Sequence, residues 1–202
     1  MLTIALPKGR IADETLDRFE KAFGEKFVFE DRKLILEKSG FKFLNVRNQD
    51  VPTYVMHGAA DLGVVGLDVL EEKEYDLIKL LDLKLGRCKV AFGLRAGEKL
   101  NFDKSKITIA TKHEKIAKKY FEQKAMAVEI IKLYGSIELA PLVGLCDCIV
   151  DIVETGETMK HNGLEVGPTI METTAHLIAN KNSFYAKKDL IFDLKDKLEK
   201  FL

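Results

Sequence analysis

The sequence predicts an α/β protein, because apolar segments of strand length alternate with amphipathic segments of helical length. The chain opens with an apolar run at residues 1–6, and the apolar residues of the next segment recur at helical spacing up to Phe23. Residues 106–111 and 127–133 are apolar strands on either side of a helical segment at 114–124. Strands that alternate with helices form a parallel or mixed sheet, whose ligands bind at the carboxyl ends of the strands.

Glycine, proline and capping residues divide the first part of the chain into short elements. Gly24 ends the first helix. Asp50 is expected to cap the second helix, which has Pro52 in its first turn and stops at Gly58. His57, near that helix end, is better explained by its position than as a catalytic base. The expected strands are 1–6, 34–38, 41–47 and 61–65, with helices at 12–23, at 50–57 and from residue 66 onward.

The second part begins with two long strands, at 76–83 and 88–95, where a crossing into a second lobe is expected. Ile116, Tyr120 and Phe121 should face inward from the helix that follows. A strand at 169–179 precedes the last helix. That helix carries an apolar stripe typical of a core or an interface, formed by Ile191, Leu194, Leu198 and Phe201.

The composition and net charge of the chain limit the kinds of molecule that it is expected to bind. The chain has 202 residues, 47% hydrophobic and 32% charged, and its 32 basic and 32 acidic residues give a net charge of zero. This balance indicates neither nucleic-acid nor membrane binding, so a local cluster of Lys and Arg must meet any anionic substrate. The start has no basic leader and only a short apolar run before Pro7, which predicts neither a signal peptide nor a membrane span, and hence a cytoplasmic protein.

The three cysteines do not form a disulfide framework, since their number is odd. Cys146 and Cys148 could be half of a metal site, but no second pair lies nearby and the closest histidine is His161. We therefore interpret both as packing residues and expect no metal bound by protein ligands alone.

The segment 144–159, GLCDCIVDIVETGETM, contains the clearest candidate site. Residues 147–153 form an apolar strand whose carboxylate, Asp151, should emerge at the carboxyl end. Residues 155–158 follow where a short helical turn begins, and amides joined by two Thr hydroxyls favour a phosphate group. Asp151 and Glu154 then lie near the hydroxyls of an attached sugar. The alternative is a strand and a Thr-Gly turn without a ligand.

A second candidate lies between the first strand and the first helix. Lys8 and Arg10 flank the amino terminus of that helix, with Gly9 between them, which favours an anion site. The alternative is a pair of solvated basic residues on a loop.

These motifs resemble those of the ATP phosphoribosyltransferase family. The strand followed by Asp151, Glu154 and the Thr-Gly-x-Thr sequence at 155–158 resembles the loop that binds 5-phosphoribosyl 1-pyrophosphate (PRPP). The chain departs from the nucleobase enzymes of this kind, which have two adjacent acids at the strand end, because Val150 stands at the first of these positions. Cys146 stands where the family usually has Ala or Ser. Residues 6–10, Leu-Pro-Lys-Gly-Arg, and the block 47–70 are also similar to this family. The signature residues are Glu138, Gly144, Ile149, Asp151, Thr155, Gly156, Thr158 and Met159.

The resemblance implies condensation of ATP with PRPP to phosphoribosyl-ATP and pyrophosphate, with Mg²⁺ held mainly by substrate phosphates. It implies catalytic roles for Arg10 and Arg32. The implied PRPP-binding residues are Asp151, Glu154, Thr155, Gly156, Glu157 and Thr158. The implied ATP- or pyrophosphate-binding residues are Lys8, Gly9, Arg47, Asp68 and Glu138.

The resemblance also implies a two-lobed fold similar to type II periplasmic binding proteins. The expected lobes are residues 1–91 plus 173–202, and residues 92–172, which carry the PRPP loop. The chain stops after one helix, without the regulatory domain of the long form. It therefore resembles the short form, a homodimer that assembles with a regulatory subunit related to histidyl-tRNA synthetase.

Two other functions remain open at this point. A non-catalytic small-molecule-binding module could share the fold, although such proteins normally carry a secretion signal or a DNA-binding domain. A nucleobase phosphoribosyltransferase is disfavoured by Val150 and by the amino-terminal motif. Thermal stabilisation by PRPP and ATP, or by an amino acid or sugar alone, would separate the enzyme from the binding module.

Overall fold

The computed structural model describes residues 1–202 and contains eleven β-strands and eight α-helices. The chain divides into two compact units, Met1–Gly86 with Thr174–Leu202, and Arg87–Thr173. Each unit has a mixed sheet covered by helices, which confirms the predicted α/β class. None of the helices combines the length and the apolar composition needed to cross a bilayer.

The elements are numbered along the chain. The strands are β1 (Leu2–Pro7), β2 (Ile35–Lys38), β3 (Phe41–Val46), β4 (Leu62–Gly66), β5 (Ile78–Asp82), β6 (Cys88–Arg95), β7 (Ile107–Thr111), β8 (Val128–Lys132), β9 (Cys148–Val153), β10 (Leu164–Thr173) and β11 (Ala175–Ala179). The helices are α1 (Arg10–Phe23), α2 (Val51–Met56), α3 (Leu67–Lys73), α4 (Glu114–Glu122), α5 (Leu139–Leu142), α6 (Glu157–His161), α7 (Lys181–Ala186) and α8 (Lys188–Glu199).

The first unit is built on a six-stranded sheet in the order β2-β3-β1-β4-β11-β5. β1 lies between β3 and β4 and is parallel to both, whereas β2 and β11 are antiparallel to their neighbours. Alternate residues of a strand point to opposite faces. Ile4 and Leu6 therefore pack in the core formed with α1 and α8, and Ala5 packs in the core formed with α2 and α3.

The second unit is built on a five-stranded sheet in the order β10-β6-β9-β7-β8. β7 is parallel to β8 and β9, and β6 is antiparallel to β9 and β10. The two faces of β9 belong to different cores: Cys148 and Val150 pack with α4, and Ile149 and Val153 pack with α5 and α6. Asp151 shares the second face by alternation, which directs it toward α5 and α6.

The expected single strand at 169–179 is wrong. The structure has two strands there, which join different sheets: β10 pairs with β6, and β11 pairs with β4 and β5. Thr174 separates them, with its carbonyl accepting from the Leu67 amide at 3.0 Å and its hydroxyl donating to Asp82 at 2.8 Å. The apolar pattern continues across Thr174, so periodicity alone does not reveal the change of sheet.

Several element ends also differ from the expectation. Asp50 makes no side-chain cap; it ends a 3-10 turn, Asn48–Asp50, that leads into α2. The sequence pattern did not predict α7, where the Asn180 side chain accepts a hydrogen bond from the Ser183 amide at 3.0 Å. Phe201 lies beyond α8 and is 42% exposed, so it is not part of the buried stripe.

The first unit ends at Gly86, where the expected lobe boundary followed residue 91. The difference arises because β6 starts at Cys88 and is hydrogen-bonded over its whole length within the second sheet. The chain returns to the first unit at Thr174, one residue after the expected return at position 173.

Candidate active site

The loop after β9 lies at the edge of the second sheet where its parallel strands end. Because β7, β8 and β9 run in the same direction, the residues that follow them share this edge. Gly156 precedes α6 with a φ of +84°, a left-handed conformation that favours glycine. A Cβ at this position would lie 2.8 Å from the Val166 side chain, so both conformation and packing restrict the residue.

A cleft of about 340 Å³ lies against this loop. It gathers the loop residues predicted to bind PRPP, except Glu157, and it adds Glu138 from the segment before α5. Its lining residues other than the apolar Ile152, Val153 and Met159 are Cys88, Glu138, Asp151, Glu154, Thr155, Gly156 and Thr158. The structure therefore places Glu138, assigned to ATP or pyrophosphate from the resemblance, beside the loop predicted to bind PRPP.

A larger cleft of about 660 Å³ borders the same loop and shares Thr155 and Gly156 with the first. Glu157 and Lys160 line this second cleft and do not line the first. Both are exposed residues of α6. The carboxylates expected to meet the ribose are in the first cleft, so we treat that cleft as the candidate PRPP site.

The contacts that hold the Asp151 carboxylate are made to one of its two oxygens, Oδ1. Its Oδ1 accepts a hydrogen bond from the Ile152 amide at 2.8 Å and lies 2.9 Å from the Lys112 ammonium. The His113 ring is buried beneath, with Nε2 3.7 Å from the same oxygen. Sequence reasoning did not select Lys112 or His113. The signal that could have found them is their position directly after β7, at the edge where β9 also ends.

The other candidate residues lie at the corresponding edge of the first sheet. Residues 8–10 follow β1, Arg47 follows β3, and Asp68 follows β4, all three strands being parallel. Arg32 precedes β2, which is antiparallel to β3, so it reaches the same edge. The Lys8 amide donates to the Val46 carbonyl at 2.8 Å, which ties the ends of β1 and β3 together.

Three arginines of this edge are accessible to a ligand. Arg32 and Arg47 are exposed, and the Arg10 side chain is 50% exposed with its Nε 3.7 Å from Glu14. Gly9 has a φ of +94°, and the space where a Cβ would stand is open. Asp68 differs from these residues because it is only 3% exposed, so its carboxylate is covered.

A small cleft of about 210 Å³ lies beside Gly9 on the α1 face of the first sheet. Phe27 and Phe29 supply apolar walls, and Asn45 lies on β3 beneath. The Asn45 Oδ1 is buried without a hydrogen-bond partner. Sequence reasoning missed this amide, which lies one residue before the end of β3.

The cysteine pair packs in the interior of the second unit. Cys146 and Cys148 are buried and form no disulfide. Burial raises the pKa of the Cys148 thiol to about 12, so this thiol remains protonated at neutral pH and packs as a small apolar group.

The candidate PRPP cleft has carboxylates of the kind that bind Mg²⁺ together with substrate phosphates. No group of three or more His, Cys, Asp or Glu side chains is arranged to hold a metal ion in this structure. Mg²⁺ keeps several waters and often binds one or two carboxylates together with substrate phosphates. Asp151 and Glu154 line the same cleft, which provides carboxylates for that mode of binding.

The chain is similar in sequence to known enzymes over its whole length. Residues 47–200 match the family model HisG, ATP phosphoribosyltransferase. The chain is 66% identical over 200 residues to the ATP phosphoribosyltransferase of Wolinella succinogenes, covering 99% of this chain and 97% of that protein. The ATP phosphoribosyltransferase of Helicobacter hepaticus is 58% identical over 202 residues, and the match covers 100% of this chain and 98% of that protein.

Structural similarity agrees with the sequence matches. A chain of the ATP phosphoribosyl transferase (HisG:HisZ) complex from Thermotoga maritima superposes with a TM-score of 0.83 at 36% identity, covering 99% of this chain and 98% of that one. The substrate binding protein of an amino acid ABC transporter has a TM-score of 0.61 at 13% identity, and the match covers 98% of this chain and 91% of that one. The second match shows the fold alone and confirms the expected likeness to periplasmic binding proteins. From the full-length sequence matches, the chain belongs to the ATP phosphoribosyltransferase family.

Proposed function

We propose that the chain joins ATP to PRPP, forming N1-(5-phosphoribosyl)-ATP and pyrophosphate in the first step of histidine biosynthesis. The observation that carries this proposal is the cleft beside the Gly156 turn, where Asp151, Glu154 and the two Thr residues of the family signature lie together. Membership of the family supplies the reaction, and this cleft supplies a location for the phosphoribosyl group.

In this proposal the turn at residues 155–158 binds the 5′-phosphate of PRPP. The Thr155 and Thr158 hydroxyls and the backbone amides near Gly156 donate to phosphate oxygens. Asp151 and Glu154 accept hydrogen bonds from the ribose hydroxyls. Glu157 faces the larger neighbouring cleft, so its part is limited to shaping the turn.

The reaction proceeds by attack of adenine N1 on the anomeric carbon as the bond to pyrophosphate breaks. Positive charge develops on the ribose ring, and negative charge grows on the departing pyrophosphate. Arg10 and Arg32 stabilise the pyrophosphate and the triphosphate as cations, while the carboxylates beside the ribose favour its positive charge. Positioning and electrostatics supply the rate enhancement, without a covalent intermediate on the protein.

Lys8, Gly9 and Arg47 contribute to binding of the ATP or pyrophosphate phosphates. The open space at Gly9 allows a phosphate to approach the backbone closely. Glu138 lines the PRPP cleft, so we assign it to the ribose or pyrophosphate end of the substrate. The Asp68 carboxylate is covered, so we assign this residue to supporting the end of β4.

Mg²⁺ would bind in this cleft together with the substrate phosphates. Asp151 and Glu154 are the carboxylates that would hold it, and the ion would neutralise phosphate charge there. The substrates are phosphorylated metabolites, and we place the reaction in the cytoplasm.

We propose that the chain is the short-form catalytic subunit, a homodimer that assembles with a regulatory subunit related to histidyl-tRNA synthetase. Two observations support this. The relatives named above are matched over 97% and 98% of their own length. The structural match from Thermotoga maritima is a chain of a HisG:HisZ complex.

The test measures pyrophosphate release from ATP, PRPP and Mg²⁺ by the purified chain, with and without the candidate regulatory subunit. Release that requires both substrates is expected, with inhibition by histidine only when the partner is present. A folded chain that releases no pyrophosphate under either condition, yet is stabilised by an amino acid or a sugar, would be a binding module.

A further inference from the structure

We propose that Lys112 is a positioning residue for the PRPP site, which holds one oxygen of Asp151 so that the other oxygen can accept a hydrogen bond from the ribose. This inference rests on the function proposed above and extends it to a residue outside the PRPP loop. Lys112 follows β7, whereas Asp151 lies on the neighbouring strand β9.

The contacts of the Asp151 carboxylate are made by Oδ1. The Ile152 amide donates to this oxygen at 2.8 Å, and the Lys112 Nζ lies 2.9 Å from it. Oδ2 takes part in none of these contacts. A carboxylate oxygen has two lone-pair directions, so Oδ2 remains able to accept from a sugar hydroxyl. The amide hydrogen bond and the ion pair at Oδ1 together resist rotation of the carboxylate, which orients Oδ2 before the substrate binds.

The turn that carries Lys112 is itself fixed to β9. The buried Thr111 hydroxyl donates to the Val150 carbonyl at 2.5 Å and accepts from the His113 amide at 2.8 Å. The residues on either side of Lys112 are therefore tied to the strand that carries Asp151. His113 is 1% exposed and fills the space beneath the Lys112–Asp151 pair.

Charge supplies a second reason for a cation at this position. The cleft brings together Glu138, Asp151 and Glu154, and its ligand is an anion with several phosphate charges. Two charges of like sign within about 4–6 Å disfavour each other unless a cation lies between or beside them. Lys112 offsets the charge of Asp151 while its own side chain remains 37% exposed.

The experiment compares Lys112→Met, Lys112→Arg and the unchanged chain in the complex with the regulatory subunit. Loss of the ammonium is expected to raise the KM for PRPP about tenfold, because the carboxylate that meets the ribose hydroxyls in the ground state is no longer oriented. The change in kcat should be smaller, because Asp151 keeps the negative charge that favours the positive ribose ring in the transition state. The KM for ATP should change less than twofold, a difference within the usual scatter of surface substitutions. Lys112→Arg should recover most of the PRPP affinity.

A matched control removes a second Lys–Asp ion pair, which lies at the other end of the strand β9. Lys104 Nζ lies 2.6 Å from Oδ1 of Asp147, which directly precedes β9 at its opposite end. Lys104→Met is therefore expected to leave both KM values unchanged. A KM for PRPP that rises equally in Lys104→Met and Lys112→Met would show a general effect of stability and overturn the positioning role.

A double-mutant cycle tests whether Lys112 acts through Asp151. In an Asp151→Asn chain, Lys112→Met should add little to the loss of PRPP affinity, because the carboxylate that it orients is gone. Independent, fully additive losses would show that Lys112 acts in some other way. If the unchanged chain neither releases pyrophosphate nor is stabilised by PRPP, the proposed function fails and this inference fails with it. If the unchanged chain is active and Lys112→Met equals it, only the inference fails.

Discussion

Lys187 donates to both carboxylate oxygens of Asp61, at 2.9 and 2.8 Å, across 126 residues of sequence. Asp61 directly precedes β4 and also accepts a hydrogen bond from the Thr3 amide at 2.9 Å. The Asp61 side chain is 10% exposed and that of Lys187 is 37% exposed. This pair fastens the start of α8 to the first sheet after the chain has returned from the second unit.

Removal of the Lys187 ammonium should destabilise the protein. Lys187→Met leaves the Asp61 carboxylate largely buried without its cation, and we expect a loss of about 1–3 kcal/mol in the free energy of unfolding. Thermal or urea unfolding measures this loss. Lys118→Met is the control, because Lys118 pairs with Glu122 on the exposed side of α4, and such pairs contribute about 0–1 kcal/mol.

The same pair predicts a dependence of stability on pH. Burial by itself raises the pKa of Asp61, but hydrogen bonds from Lys187 and from the Thr3 amide bring the pKa below its ordinary value of 3.8. A carboxyl with a lowered pKa in the folded state stabilises the fold above its unfolded pKa, and this stabilisation is lost as the pH falls through the folded pKa. The difference in the free energy of unfolding between the unchanged chain and Lys187→Met should therefore be largest at neutral pH. It should become smaller below pH 3.8. A difference that stays constant into acid would contradict this account.

Several local elements could be predicted from sequence, although the cap at Asp50 and the helix α7 could not. The strand, turn and helix around Gly156 are contiguous, so the pattern of residues 147–159 contains both the elements and the candidate phosphate site. In contrast, the pairs Lys112–Asp151 and Asp61–Lys187 depend on which strands become neighbours and where the chain returns. Composition and periodicity do not show which strands become neighbours. In the sequence, the four residues of these two pairs have the pattern of ordinary charged surface residues.

The division at Thr174 shows the same limit within one apolar segment. Residues on both sides of it have strand-forming patterns, but β10 and β11 are hydrogen-bonded to different sheets. Which sheet a strand joins depends on long-range pairing and on contacts such as the Thr174 hydroxyl with Asp82. The resemblance to a family predicted a return near this point, and the structure locates it at the Thr173–Thr174 junction.

Gly156→Ala should disrupt the turn that we propose to bind PRPP. The new methyl group would lie 2.8 Å from Val166 at a φ of +84°, a conformation that costs a residue other than glycine about 1–3 kcal/mol. We expect lower thermal stability and a KM for PRPP raised by at least about tenfold, since a change of 1.4 kcal/mol in binding is tenfold. Gly135→Ala is the control, because nothing lies within 4 Å of its Cβ position. Equal effects of the two substitutions would remove the special role of the turn.

PRPP should protect one thiol from alkylation. Cys88 is half-buried and lines the candidate PRPP cleft, whereas Cys146 and Cys148 are buried, and burial raises the pKa of Cys148 to about 12. Because the thiolate is the reactive form, iodoacetamide should label Cys88 first in the folded chain. Peptide mass spectrometry would follow the labelling, and Cys88→Ser supplies the control. Labelling of Cys88 at the same rate with saturating PRPP and Mg²⁺ would argue against this cleft as the PRPP site.

Arg32→Ala should lower turnover while leaving the fold intact. Arg32 is exposed at the edge of the first sheet where β1 and β3 end, and its removal takes away a cation without opening the core. If Arg32 stabilises the charge that grows on pyrophosphate, kcat should fall about 10²–10³-fold, the loss measured when one such donor is removed. Lys21→Ala removes an exposed cation from the last turn of α1 and should leave kcat unchanged. Steady-state kinetics with both substrates varied, together with the unfolding temperature, make the comparison. An Arg32→Ala chain with unchanged kcat and KM would exclude this side chain from the active site, and the stabilisation of pyrophosphate would then have to come from Arg10.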